Sequence, residues 1–181
     1  MPNKIILILC LIMAFTILPI LGAIKIGAIF SITGPAAFLG RPEANTVKML
    51  VDQINAKGGI KGEKIEIIIK DSAGDPAKAF SFAKQLIEEE KVIAIIGPST
   101  SGETMKIKKL CDDAEVILIS CAAAEVIVDP LAKWVFKTPQ KDNDAVIRIF
   151  EVMKKKGISK IAVIASNTGF GDAGKKQIEE L

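Results

Sequence analysis

The chain has no histidine, no tyrosine and a single tryptophan, Trp134. Without imidazole there is no Ser-His-Asp or Cys-His nucleophilic centre and no histidine-ligated metal. With so few aromatics, an aromatic cage has little to be built from. An excess of one charge sign is also missing. Lys and Arg number 24 against 21 Asp and Glu, a formal net charge of +3. That is no electrostatic footprint for nucleic acid. The run Lys154-Lys155-Lys156 reads as cations placed at the negative end of a helix dipole. Neither GxGxxG nor GxxxxGK[ST] occurs, so no phosphate cradle is expected. These absences point away from an enzyme and from any cofactor or bound metal.

What is present is apolar. Half of the 181 residues fall in the hydrophobic set. A unit of this length buries roughly 70% of its unfolded surface, enough for one substantial core. The first apolar block stands apart from the rest. Met1 to Lys4 carries one Lys, and Ile5 to Ala23 then runs without charge. A short basic flank, an apolar run and the small residues Gly22-Ala23 describe an export signal over 1–23. The competing reading is an uncleaved anchor, since about 18 apolar residues also span a bilayer. Cys10 lies inside the run rather than at its end, which argues against lipidation.

From Lys25 onward two textures alternate. Ile- and Val-rich runs at 26–30, 65–69, 92–96, 116–119 and 161–164 lack the period of two. They read as parallel strands buried on both faces. A fifth short strand in chain order is expected over 134–138, ahead of the one at 160–165. Between the strands lie helical stripes: Val47, Leu50, Val51 and Ile54; Ile107, Leu110, Cys111 and Ala114; Val146, Ile149, Phe150 and Met153. Ala79, Ala83 and Leu86 form a weaker one. Asp75-Pro76 reads as an N-cap followed by proline at the first helical position. Lys57-Gly58-Gly59 and Lys156-Gly157 read as glycine C-caps. The pattern predicts an α/β fold with a doubly wound, mainly parallel sheet over 24–138. The polar stretch 139–144 then opens a second unit over 139–181, which is expected to be truncated.

In such a sheet ligands sit at the carboxyl ends of the strands. The loop Gly97 to Gly102 is the most informative. Two readings of Ser101 stand side by side: N-cap of the helix expected over 104–113, or part of an anion site at that helix's N-terminus. The loop Ser120 to Ala124 would face the same crevice, although spacing alone favours a tight, solvent-lined turn. Asp71 and Asp75 could suggest a carboxylate pair, but Asp75 is better explained as a helix cap. Cys111 and Cys121 are expected at opposite edges of the sheet, on the order of 16 Å apart by strand rise. A disulfide needs Cα atoms within about 7 Å, so both thiols are expected to be free.

The blocks IKIGAIFSITGPAAFLG, VDQINAKGGIKGEKIEIIIKDSAGDP, VIAIIGPSTSGETM, ILISCAAAE and VFKTPQKDND together resemble the type I periplasmic substrate-binding proteins of ABC transporters. The leucine/isoleucine/valine-binding group is the nearest. The resemblance runs from about Ile24 to the end and implies two lobes in a protein about twice as long. It implies a ligand-binding lobe at 24–138 and a hinge crossing with the start of a second lobe at 139–181. It further implies a small amino acid or carboxylate ligand, lobe closure, and membrane permease and ATPase partners outside the cytoplasm. Residue by residue, it places the ligand carboxylate at Ser101 and Gly102, and further contacts at Ala122, Ala123 and Ala124. Leu39, with Phe38 beside it, and Phe170 of the second lobe complete the implied lining. Ala124 stands where the family usually has a threonine that receives the ligand ammonium. Leu39 and Phe170 stand where tyrosine is frequent. These departures keep the carboxylate site and weaken the ammonium site. Two other readings are a ligand-sensing extracellular domain of a receptor or regulator, and a non-functional one-lobe fragment whose ligand binding is weak or absent.

Overall fold

The computed structural model describes residues 22–181, so most of the leader expected over 1–23 lies outside the described residues. In chain order the elements are β1 (Ile24–Phe30), α1 (Ala37–Ala56), β2 (Ile65–Asp71), α2 (Pro76–Glu88), β3 (Ala94–Ile96), α3 (Ser101–Asp113) and β4 (Ile117–Ser120). After a 3-10 turn (Glu125–Ile127) come β5 (Val135–Lys137), α4 (Asp142–Lys155) and α5 (Gly169–Glu180). The five strands form one sheet in the order β2-β1-β3-β4-β5, and every pairing is parallel. Among the described residues no helix is long and apolar enough to cross a membrane.

The non-alternating apolar runs have a direct cause. Ile29 joins Ile95 and Leu118 in a cluster with Ala79, Ala83 and Leu86 of α2 and Ile107 and Cys111 of α3. Its neighbours Ala28 and Phe30 join Ala44 and Val47 of α1 in a second cluster. Successive strand residues point to opposite faces, and helices cover both, so both sets are apolar. The stripe that looked weakest in the sequence is the best buried, with Ala79, Ala83 and Leu86 all at 0% exposure. Small alanines let α2 lie close on the sheet, which a stripe of large residues would prevent. On α1 the expected stripe is half-buried at Val47, Val51 and Ile54, but Leu50 faces solvent at 46% exposure.

The punctuation works as the sequence implies. Asp75 accepts hydrogen bonds from the amides of Ala77 and Lys78 at 2.7 and 3.2 Å. Gly58 and Gly59 adopt positive φ, and their amides return to Asn55 and Ile54. Gly157 closes α4 in the same way.

The expected strand at 160–165 does not form. These residues are exposed and join no strand of the sheet. A strand needs a neighbour to satisfy its backbone groups, and none is in reach among the described residues. The free state expected of the two thiols is found. Cys111 packs in the α2–α3 cluster and Cys121 against the α1 cluster, so the sheet lies between them.

Leu86→Ala should cost about 2–5 kcal/mol in urea denaturation, against little for Leu50→Ala; equal effects would contradict the core assignment. Burial pushes the Cys111 thiol up to about 12 and the Cys121 thiol up to about 11. A thiol reagent at pH 8 should therefore react with these two positions only on unfolding, and fast native labelling would contradict their placement.

Candidate functional site

The sheet winds one way from β1 to β2 and the other way from β1 through β3 to β5. The loops after β1 and β3 therefore diverge, and their parting opens a crevice at the carboxyl edge. Ser31 directly follows β1, and its amide donates to Ser99 Oγ at 3.0 Å across that gap. Gly97 makes the approach possible. Its φ is +94°, and a Cβ there would lie 2.1 Å from the Ile29 carbonyl oxygen.

The helix cap is Thr100, not Ser101. Thr100 has extended backbone (φ −117°, ψ 153°), and its hydroxyl accepts from the Glu103 amide. Ser101 is consequently the first residue of α3, 1% exposed. Its hydroxyl accepts from the Ala124 amide at 3.4 Å. This contact joins the two loops that the sequence singled out. Ala122 and Ala124 are buried. The Ala122 amide donates to Ser120 Oγ at 3.1 Å, and Ser120 Oγ also meets Thr104 Oγ1 at 2.7 Å. Lys137 Nζ donates to the carbonyls of Ala123 and Ala124, while Asp142 accepts from the Glu125 amide at 2.8 Å. The loop is thus held from behind by β5 and the start of α4.

Gly102 meets the N-terminus of α5. A Cβ on Gly169 would sit 2.7 Å from the Gly102 Cα, so the two backbones touch without side chains between them. Phe170 is next in the chain, 53% exposed in the first turn of α5. Phe38 and Leu39 lie in the first turn of α1 rather than in the preceding loop, at 76% and 38% exposure. The structure therefore brings Ser101, Gly102 and the 122–124 loop together with α5. Phe38 and Leu39 lie outside both core clusters.

Asp71 does not pair with Asp75. It organises the first loop, accepting from the amides of Ile32, Thr33 and Ala73 and from the Thr33 hydroxyl at 2.7–3.1 Å. Burial pushes its carboxyl up, but these four donors outweigh that and hold it below its ordinary 3.8. Two further carboxylates went unnoticed in the sequence. Glu103 is fully buried and accepts from Ser31 Oγ at 3.0 Å and Thr100 Oγ1 at 2.5 Å. Glu43 of α1 accepts from Ser99 Oγ at 2.5 Å. The spacing Thr100-x-x-Glu103 is the capping-box signature that would have flagged the first. Among the described residues no three His, Cys, Asp or Glu side chains group as metal ligands.

Comparison with known proteins bears on this geometry. A family model described as periplasmic binding protein matches residues 23–181. A Leu/Ile/Val-binding protein homolog 7 from Brucella abortus (strain 2308) is 31% identical over 166 residues, covering 86% of this chain and 41% of that protein. Among solved structures, a solute binding protein of an ABC transporter from Rhodopseudomonas palustris BisB5, in complex with 3,4-dihydroxybenzoic acid, superposes with a TM-score of 0.77 at 27% identity. It covers 87% of this chain and 43% of that one. A branched-chain amino acid transporter substrate binding protein from Streptococcus pneumoniae, in complex with isoleucine, gives a TM-score of 0.72 at 29% identity, covering 88% and 46%. The chain spans less than half the length of these relatives.

The lowered Asp71 pKa means that its contribution to stability is present above pH 3.8 and is lost as pH falls through the folded-state value. Asp71→Asn should therefore unfold at lower urea than the parent at pH 7, with the gap closing toward pH 2. A gap that widens on acidification would contradict the assignment.

Proposed function

The chain belongs to the periplasmic binding protein family, and on that premise we propose that it is the ligand-holding part of an extracytoplasmic solute-binding protein serving an ABC importer. One observation carries the reading. The first turn of α3 and the 122–124 loop meet at the carboxyl edge of the sheet, joined by the Ser101–Ala124 hydrogen bond. A helix N-terminus presents unpaired amides and a positive dipole end, which suits a carboxylate. Ser101 and Gly102 would hold that carboxylate, the 122–124 loop would complete the pocket floor, and Leu39, Phe38 and Phe170 would flank an apolar body. The buried alanines at 122 and 124 leave room for such a body and bring no nucleophile to it.

The mechanism needs holding, not reaction. A ligand bridging the edge of 24–138 and the α5 side would favour the closed arrangement by its differential contacts with it. The closed form would then dock on permease and ATPase subunits in the membrane. The ligand class is a small carboxylate with an apolar body, an amino acid or a related organic acid. On this reading the protein would work in the periplasm or outside the cell, with 1–23 as its export signal or anchor.

Ser101→Ala should weaken binding of a carboxylate ligand by about 1–3 kcal/mol, read by NMR titration of the chain with leucine and with benzoate. Unchanged affinity for both would remove Ser101 from the site. Binding of neither by the parent would contradict the solute-binding reading.

A further inference from the structure

The stretch that leaves the sheet after β5 is bonded to the 122–124 loop more densely than a plain connection needs. Lys137 Nζ donates to the carbonyls of both Ala123 and Ala124, the second at 3.4 Å. The Thr138 amide donates to the Ser120 carbonyl at 2.9 Å, and the Asp142 amide to the Ala123 carbonyl at 3.2 Å. In the other direction the Glu125 amide donates to Asp142 Oδ1 at 2.8 Å. Lys141 adds an ion pair to Glu125 at 2.9 Å.

These bonds hold two peptide units at both ends. The unit between Ala123 and Ala124 has its carbonyl on Lys137 Nζ and the Asp142 amide, and its amide on Ser101 Oγ. The unit between Ala124 and Glu125 has its carbonyl on Lys137 Nζ and its amide on Asp142 Oδ1. Turning either plane breaks a contact on each side. Two neighbouring carbonyl oxygens that meet at one point repel each other, and a shared cation reverses the sign. A charged donor also makes a bond about twice as strong as a neutral one. Asp142 explains why the cation is retained so far from water. It is 8% exposed, and its Oδ2 is buried without a hydrogen-bond partner. Lys141 is taken by Glu125, and Lys137 answers the Asp142 charge. Burial, the larger cause, pushes the Lys137 pKa down, and the Asp142 carboxylate pushes it back up.

We propose that Lys137 is a positioning residue for ligand recognition. Together with Asp142 it sets the backbone of 123–125 in the orientation that the crevice uses, and so ties ligand affinity to the stretch between β5 and α4. The inference deepens the solute-binding reading and rests on it. Lys137 acts through the loop backbone. A ligand that steadies this loop steadies the β5–α4 stretch in return.

The test separates positioning from folding and from the identity of the ligand. Amide hydrogen exchange is followed by NMR in the ligand-free 181-residue chain, as the parent, Lys137→Met and Lys137→Arg. Methionine keeps an apolar stem without the ammonium, and arginine restores charge and donors. The expected result for Lys137→Met is exchange at least about tenfold faster at Ala124 and Glu125, with the sheet amides of Ile29 and Ile95 unchanged. Lys137→Arg should return protection to within about threefold of the parent. Affinity for leucine or benzoate, whichever the parent binds, should follow the same order, falling at least about tenfold in Lys137→Met and less than about threefold in Lys137→Arg. Unchanged exchange at Ala124 and Glu125 in Lys137→Met would overturn the proposal. Equal acceleration at Ile29 and Ile95 would also overturn it, making Lys137 a general brace of the fold. So would a loss in Lys137→Arg as large as in Lys137→Met, or an affinity unchanged in Lys137→Met. A parent that binds neither ligand, with the expected exchange pattern intact, would support the positioning and count against the solute-binding reading alone.

Discussion

The close approach of the β3–α3 loop to the end of β1 is the constraint on which the crevice depends. In a parallel sheet all strands finish on one edge, and the order β2-β1-β3-β4-β5 makes the winding reverse between β1 and β3. The loops that part there must still be held at a defined separation. Gly97 permits the approach, since any side chain would collide with the Ile29 carbonyl. The Ser31–Ser99 hydrogen bond then sets it. The first turn of α3 with its buried Glu103, and Glu43 of α1 through Ser99, are held in register by that contact.

From this edge the site assembles by polar contacts between loops distant in sequence. Asp71 ties down the loop after β1, Ser101 joins α3 to the loop after β4, and Lys137 and Asp142 brace that loop from β5 and α4. The core beneath is apolar on both faces of the sheet, so the polar groups concentrate at the carboxyl edge. Stability and binding are thereby separated in space. The alanine-rich face of α2 packs the interior, and the serines and threonines gather beyond the strand ends, where the ligand is proposed to lie.

Much of this was legible in the sequence because it depends on local chemistry. Four of the five apolar runs and the short stretch at 134–138 became the five parallel strands, and Asp75-Pro76 and the glycine C-caps acted where their residue types predict. The misreadings arose where a partner distant in sequence decides the outcome. The run at 160–165 has strand composition but no neighbour to pair with. Ser101 looked like the cap, yet the extended backbone falls at Thr100, which also pairs with Glu103. Glu103 itself reads as an ordinary acidic residue in a helix's first turn; only the fold shows that it is buried against Ser31. The leucine and phenylalanine expected in the first loop lie on α1, because that helix begins at Ala37.

The account holds that a small ligand lies across the carboxyl edge with its carboxylate at α3. The most direct measurement is a crystal structure of the protein grown with saturating leucine. The account predicts ligand density between residues 100–102 and 122–124, with the carboxylate within hydrogen-bond distance of Ser101 or the first-turn amides. Density at any other site, or an empty edge under saturating leucine and an equally empty edge under saturating benzoate, would contradict it.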